Sequence, residues 1–405
     1  SQSSINVREF MNYILFEDYQ KNNLAPFTIN HASFEVRCGA FTNIERVKSL
    51  MHESDKLCLI VQPEFCAIIR ERYPEYVVNP DIIQKGLCLN GATLWNRETL
   101  DKINPRQNYS RDGILIAMSL DDETPLSEFT NRVKSAIQVT LDIPALHFNY
   151  LWDTIFAQHE VLLQDADAFI SNRGGIIHQS VIYDTVENVF IHETAKISAG
   201  VILDASKGPI IIDENVVVDI GALVQGPVYI GKNSKINPGA KLRGNIAIGT
   251  TCKVGGEVED VIIHAYSNKQ HDGFLGHSYI GEWVNLGANT NNSDLKNNYS
   301  TIRINLSKEL EINTMQQFLG VLIGDYSKSG ISTMFNSGTV VGLGANVFGS
   351  DFQPKFIESF SWGGGENQTD FDKFIETCGR VKSRRNMVLT NAELKFLKNL
   401  YSQLN

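Results

Sequence analysis

No run in this 405-residue chain is apolar enough, for long enough, to read as a membrane span, and no N-terminal stretch resembles a secretory leader. Cysteine is sparse. The six residues Cys38, Cys58, Cys66, Cys88, Cys252 and Cys378 show no paired zinc-type spacing, and a reduced cytoplasm is the natural expectation. Positive charge is short as well: 36 Lys and Arg stand against 46 Asp and Glu, a formal net charge of −10. That balance argues against nucleic acid or an anionic membrane as partner, yet a small phosphorylated ligand needs only a local positive pocket. A further absence follows the first strand-like run, Tyr13–Phe16, which the polar residues before Met11 precede. No glycine-rich loop comes after it, only Phe16-Glu17-Asp18 and then Asn22 to Thr28. Loops of that kind cradle nucleotide phosphates with backbone amides, so a nucleotide site here has to work without one.

What is present is period. From Ile191 to Phe348 the chain counts in sixes: Ile191, Ile197 and Leu203; Ile212, Val218 and Val224; Ile230, Ile236 and Leu242; then Ile248 with Val254, Ile280 with Leu286, and Ile323 through Val347. A helix would turn residues six apart onto different faces, whereas a coil of three short flat strands returns the same position inward on every face. Corner residues follow, as in Ile230-Gly231-Lys232-Asn233. The expectation is a left-handed parallel β-helix of hexapeptide repeats over 189–350. Residues 11–165 alternate apolar runs with helix-like stretches (Thr42 to His52, Pro63 to Tyr73, Asn131 to Thr140, Tyr150 to Ala168), which predicts an α/β, Rossmann-like domain with a largely parallel sheet. A linker over 166–188 and a tail over 351–405 with two short helices, from Asp370 and from Asn391, complete the division; Thr390 to Glu393 has capping-box spacing.

Two segments break the rhythm, Glu257 to Tyr279 and Ser293 to Leu319, and both are expected to leave the coil as loops, where function tends to sit. The first carries His271 between Lys269 and the glycines Gly273 and Gly276. Histidine is the default base for taking the proton of an attacking amine, and backbone or amide donors hold the developing oxyanion. The plain alternative is a loop histidine bonded to nearby backbone. Hexapeptide prisms commonly serve acyl transfer, an analogy of fold rather than of site. A metal reading also exists, since some prism enzymes bind metal through three histidines and His264, His271 and His277 lie close in sequence. A third reading is a non-catalytic sugar-nucleotide scaffold or sensor.

Gly255-Gly256-Glu257-Val258, Tyr266-Ser267-Asn268-Lys269, His271 to His277, Gly281 to Ala288 and Ser293 to Tyr299 together resemble the bifunctional N-acetylglucosamine-1-phosphate uridyltransferase and glucosamine-1-phosphate acetyltransferase family. The likeness is greater still to a divergent branch of it from Bacteroidetes. The resemblance implies acetyl-CoA as co-substrate, a phosphorylated amino sugar as acceptor, and a homotrimer. It places the acetyl-transfer base on His271 and a substrate-orienting or thioester-polarising amide on Asn285. Substrate contacts fall on Asn268, Lys269, Phe274 and Asn292, and an acetyl-CoA contact on Ala288; Lys382, Arg384 and Arg385, at the basic end of the first C-terminal helix, are candidates to supply charge for acetyl-CoA phosphates, with a solvated helix end as the plain alternative. Phe274 stands where the family has tyrosine, and Glu259 where it has a phosphate-binding lysine. For the first domain the resemblance implies a nucleoside triphosphate or sugar nucleotide bound with Mg2+, with Asp18 as metal and phosphate contact and Arg37, Gly39, Asn90 and Gly91 as further nucleotide contacts. His31-Ala32 replaces the branch's Arg-Pro.

Overall fold

The computed structural model describes residues 11–17, 20–365 and 367–404, and among them the chain forms two compact units. The first takes the described residues up to Lys21, then His31–Val36 and Thr42–Asn149; the second takes Asn22–Asn30, Arg37–Phe41 and everything from Tyr150 onward.

In the first unit the apolar runs Asn12–Phe16, Lys56–Ile60, Val77–Val78 and Gly86–Asn90 lie parallel, with Asn12–Phe16 between Lys56–Ile60 and Gly86–Asn90. Ile114–Leu120 then adds antiparallel beside Gly86–Asn90 and closes with Tyr109–Arg111 and Leu141–Asp142 a seven-stranded sheet. The largely parallel expectation holds, with an antiparallel extension. Helices α1 (Asn43–Leu50), α2 (Cys66–Arg72) and α3 (Leu126–Ala136) carry the connections. Thr42 caps α1, its hydroxyl accepting from the Glu45 amide while Glu45 returns to the Thr42 amide. Phe129 of α3 meets Phe16 edge-on at 5.8 Å, over a core of Ile14, Ile60, Cys88, Leu115 and Met118.

In the second unit the sixes become a parallel β-helix. One face stacks Ile176–Ile177 on Lys196–Ile197, Val217–Val218, Lys235–Ile236 and Lys253–Val254, then Asn268–Lys269, Asn285–Leu286, Lys328–Ser329 and Asn346–Val347. Ile197, Val218, Ile236 and Val254 point into one continuous aliphatic core with their counterparts from the other two faces. The coil therefore starts at Ile176, inside the span expected as linker. Helix α4 (Asp153–Asp165), expected at the end of the α/β domain, belongs to this unit.

The first expected loop is not a loop. Glu257–Ala265 and Phe274–Glu282 are nine-residue strands paired in parallel from Glu257↔Phe274 to Ala265↔Glu282, with Asn268–Lys269 between them holding its place on the first face. Polar residues replace aliphatic ones at inward positions here, but the backbone ladder runs on. The second interruption does leave the coil: between Asn292 and Gly320 the chain projects a hairpin of Arg303–Asn305 against Glu311–Asn313. Helices α5 (Phe371–Ser383) and α6 (Asn391–Ser402) pack at the end of the coil around Trp283, Tyr326, Phe360 and Phe374.

Candidate functional site

Outward residues on the first face stand just before the inward ones, so the ladder stacks Lys235, Lys253, Asn268, Asn285, Lys328 and Asn346 in one strip. Beside this strip lies a cavity of ≈ 210 Å³ lined by Lys253, Tyr266, Asn268, Gln270, Trp283, Asn285 and Lys328 from the coil and by Val381, Arg384 and Arg385 from the end of α5. Four expected residues, Asn268, Asn285, Arg384 and Arg385, thus come together, although about a hundred positions separate the asparagines from the arginines.

Geometry within the cavity is specific. The Asn268 amide nitrogen lies 3.5 Å from the Asn285 side-chain oxygen, and Arg385 Nη2 donates to Asn268 Oδ1 at 3.2 Å. Tyr266 and Trp283 stack at 4.5 Å, nearly parallel, as one wall. Lys382 is placed otherwise than its arginine neighbours. It is buried, pairs with Glu393, and sits 5.4 Å over the Trp283 ring, where it ties α5 to α6 and the coil. Glu393 also accepts from the Tyr326 hydroxyl, and its amide is capped by Thr390. The Ala288 carbonyl accepts from the Ser332 amide at 2.7 Å.

His271 is exposed, one residue beyond the cavity-lining Gln270. Its carbonyl is held from inside the coil. Lys269 occupies the inward column between Val254 and Leu286, is 4 % exposed, and donates from Nζ to the His271 carbonyl at 2.6 Å. Burial pulls its pKa down to about 8, slightly opposed by Asp272. Gly256, at φ +71°, leaves room for this contact: a Cβ there would stand 2.7 Å from Lys269 Nζ and 2.6 Å from the His271 carbonyl oxygen. Asn292 takes the inward place below Leu275 and spends its amide on the backbone, accepting from the Gly276 amide at 2.9 Å and donating to the Gly276 carbonyl at 3.0 Å. The Phe274 amide is bound by Asn291, and the Phe274 ring lies over Gly276.

The three histidines have separate surroundings. His264 is buried, with Nδ1 3.0 Å from Glu282 and its ring against Phe27 at 4.6 Å. His277 Nδ1 lies 2.9 Å from Asp294, at the root of the projecting loop, and Phe318 from the loop's far end stacks on its ring at 5.1 Å. Sequence reasoning missed this anchor, for which the only signal was a histidine next to the start of an interruption.

The expected nucleotide contacts divide. Asp18 lies outside the described residues. Arg37 and Gly39 belong to the unit of the β-helix rather than to the α/β sheet, which corrects their assignment. Arg37 is buried, its amide donates to the Tyr279 hydroxyl at 3.1 Å and its guanidinium to the Ala40 carbonyl at 2.6 Å; the Gly39 amide donates to Gln158 at 3.2 Å. Asn90 and Gly91 do end a parallel strand of the α/β unit, where nucleotides bind in such sheets. Both are interior: Asn90 donates to the Leu115 carbonyl and accepts from the Ala92 amide, while a Cβ on Gly91 would meet Phe34 at 2.8 Å. Nearby in sequence, Glu35 is buried among Arg72, Tyr73 and His31. Burial would raise its pKa, but Arg72 and His31 outweigh that and hold it down at about 2.

Residues 13–174 match the family model described as sugar nucleotidyl transferase. The proteins named bifunctional protein GlmU from Methanococcus aeolicus and Methanocaldococcus jannaschii are similar, at 33% identity over 94 residues and 32% over 103. The matches span 22% and 25% of this chain and the same shares of those relatives, so the chain aligns with about a quarter of their length or less. Among solved structures, a UDP-N-acetylglucosamine acyltransferase covers 46% of this chain and 70% of its own, at 18% identity and a TM-score of 0.26. The Francisella novicida UDP-N-acetylglucosamine acyltransferase covers 56% and 78%, at 15% and 0.19. At those scores the β-helix rests on its own strand register. No helix among the described residues is long and apolar enough to cross a membrane.

Proposed function

We propose that this chain is a bifunctional transferase of the GlmU kind, in the divergent branch from Bacteroidetes, with the β-helix transferring an acetyl group from acetyl-CoA to the amine of glucosamine 1-phosphate or a related amino sugar. The observation that carries the reading is the convergence of Asn268, Asn285, Arg384 and Arg385 on one cavity next to the His271 corner. In this reading the His271 imidazole takes the amine proton as nitrogen attacks the thioester carbon, the C–S bond breaks, and the thiolate leaves as coenzyme A. Asn285, exposed on the same strip, orients the substrate or polarises the thioester. Arg384 and Arg385 meet donor phosphates, Ala288 faces the donor through its backbone, and the working assembly is a trimer. Lys382, Lys269 and Asn292 act through the scaffold, since their polar atoms are already engaged.

The α/β unit, which carries most of the sugar nucleotidyl transferase match, is proposed to bind a nucleoside triphosphate or sugar nucleotide, with Asp18 as the magnesium ligand. Lacking a glycine-rich loop after its first strand, it is expected to transfer nucleotidyl groups slowly or with narrow specificity. The test is direct. The protein is incubated with acetyl-CoA and a panel of amino-sugar phosphates, with and without UTP and magnesium, and products are identified by mass. An N-acetylated sugar phosphate is expected; sugar-nucleotide binding without turnover of either half-reaction would replace this reading with a non-catalytic one.

A further inference from the structure

In a chain of net charge −10, one cavity gathers Lys253, Lys328, Arg384 and Arg385 and has no Asp or Glu in its lining. Two of the cations are held by groups other than carboxylates. Lys328 Nζ donates to the Tyr326 carbonyl at 3.2 Å, Arg385 Nη2 donates to Asn268, and Arg385 Nε is buried with no hydrogen-bond partner among the described residues. Burial lowers the pKa of Lys328; burial and then Arg385, Arg384 and Lys235 lower that of Lys253. Cations crowded in this way repel one another, and an anion placed among them removes the repulsion.

Spacing narrows the anion. Lys253 and Lys328 are three strand steps apart, through Asn268 and Asn285, or roughly 14 Å at ~4.8 Å per step. Their flexible stems can close on one extended, multiply charged group between them, with the Asn268 amide beside it. On the far side of Lys328 a second cavity of ≈ 540 Å³ runs under α5 past Asn346 and Lys373 to Trp362, which is 50% exposed. A ligand longer than its phosphates has room to continue there.

We propose that the smaller cavity is a pyrophosphate site, with Lys253 and Lys328 as its two lysine ligands, Arg384 and Arg385 closing it, and the Asn268 amide donating between them. Only the source of the pyrophosphate rests on the transferase reading: it belongs either to coenzyme A or to a sugar nucleotide.

Isothermal titration of the full chain with inorganic pyrophosphate tests the site, followed by displacement with coenzyme A and with UDP-N-acetylglucosamine. Saturable binding is expected, with proton uptake that shows as a dependence of the heat on the buffer and grows as pH rises toward the lowered lysine pKa values, because the anion favours the charged form of both lysines. Lys253→Gln and Lys328→Gln should each weaken binding about tenfold or more, the loss expected for a charge-assisted contact. Lys328→Arg should largely retain it, and Lys241→Gln, on another face of the coil, should change nothing. Displacement by coenzyme A alone assigns the site to the acyl donor, and displacement by the sugar nucleotide alone assigns it to that ligand. No saturable binding, or equal affinity in the two glutamine variants and the wild type, overturns the site. Pyrophosphate binding without any acetyl transfer would keep the site and remove the transferase reading; acetyl transfer with unchanged binding in the lysine variants would do the reverse.

Discussion

The two halves of one coil are built differently on the same ladder. From Ile197 to Val254 the inward column of the first face is aliphatic without exception: Ile197, Val218, Ile236, Val254. Beyond it the column reads Lys269, Leu286 and Ser329 before returning to Val347. On the second face Asn292 follows Val258 and Leu275 in the same manner, and its register partner is Phe335. Burying a polar group costs free energy unless it is bonded. Each intruder is bonded, Lys269 to the His271 carbonyl, Asn292 to Gly276, and Ser329 to Thr290 at 2.7 Å. The aliphatic half therefore supplies stability, while the polar half spends some of it on fixing backbone at named corners, and those corners carry the candidate chemistry.

The comparison breaks first at His271. If the polar corner is catalytic, His271→Ala should lower kcat by ~10² to 10⁴ while acetyl-CoA affinity, measured by titration, stays near wild type. Wild-type turnover in that variant would leave the polar rungs without a reaction to serve. A loss of comparable free energy but opposite kind is expected in the aliphatic half. Ile236→Ala should cost about 2 to 5 kcal/mol in urea unfolding, through lost burial and the cavity left behind, with kcat unchanged wherever the variant is folded.

A smaller, pH-shaped effect belongs to Lys269. Its folded pKa of about 8 lies below the ordinary 10.5, so the fold disfavours its charged form. That burden is complete below pH 8 and is relieved as pH rises from 8 to 10.5. Relative to Lys269→Met, the wild type should gain roughly 3 kcal/mol of stability across that window. Parallel stability curves for the two proteins would mean that the ammonium is not buried as described.

Much of this was legible from spacing alone. Six-residue recurrence sustained over this length fixes a three-faced coil because an α-helix turns residues six apart onto different faces and no single strand is long enough to hold them, and the helix from Asn391 announced itself by its capping-box spacing. The segment 257–279 misled because Lys269 sits where an aliphatic residue is expected: the residue type changed while the hydrogen-bonded ladder did not. Arg37 and Gly39 misled for another reason. Their place on a short segment held by Tyr279 and Gln158 is long-range packing that local sequence does not encode. Lys253 and Lys328 had a readable signal that went unused. Each directly precedes an inward residue of the same face, as Lys196 and Lys235 do, so rung register alone stacks them on one strip.

The account's central claim, that the aliphatic rungs carry stability and the polar rungs carry acetyl transfer, is tested most directly by measuring melting temperature and kcat side by side for Ile236→Ala and Asn285→Ala. Ile236 is fully buried in the core and Asn285 is exposed on the strip. The account predicts a lowered melting temperature with preserved kcat for Ile236→Ala, and a preserved melting temperature with sharply reduced kcat for Asn285→Ala. Wild-type turnover in Asn285→Ala, or activity lost only in proportion to melting temperature in both, would contradict it.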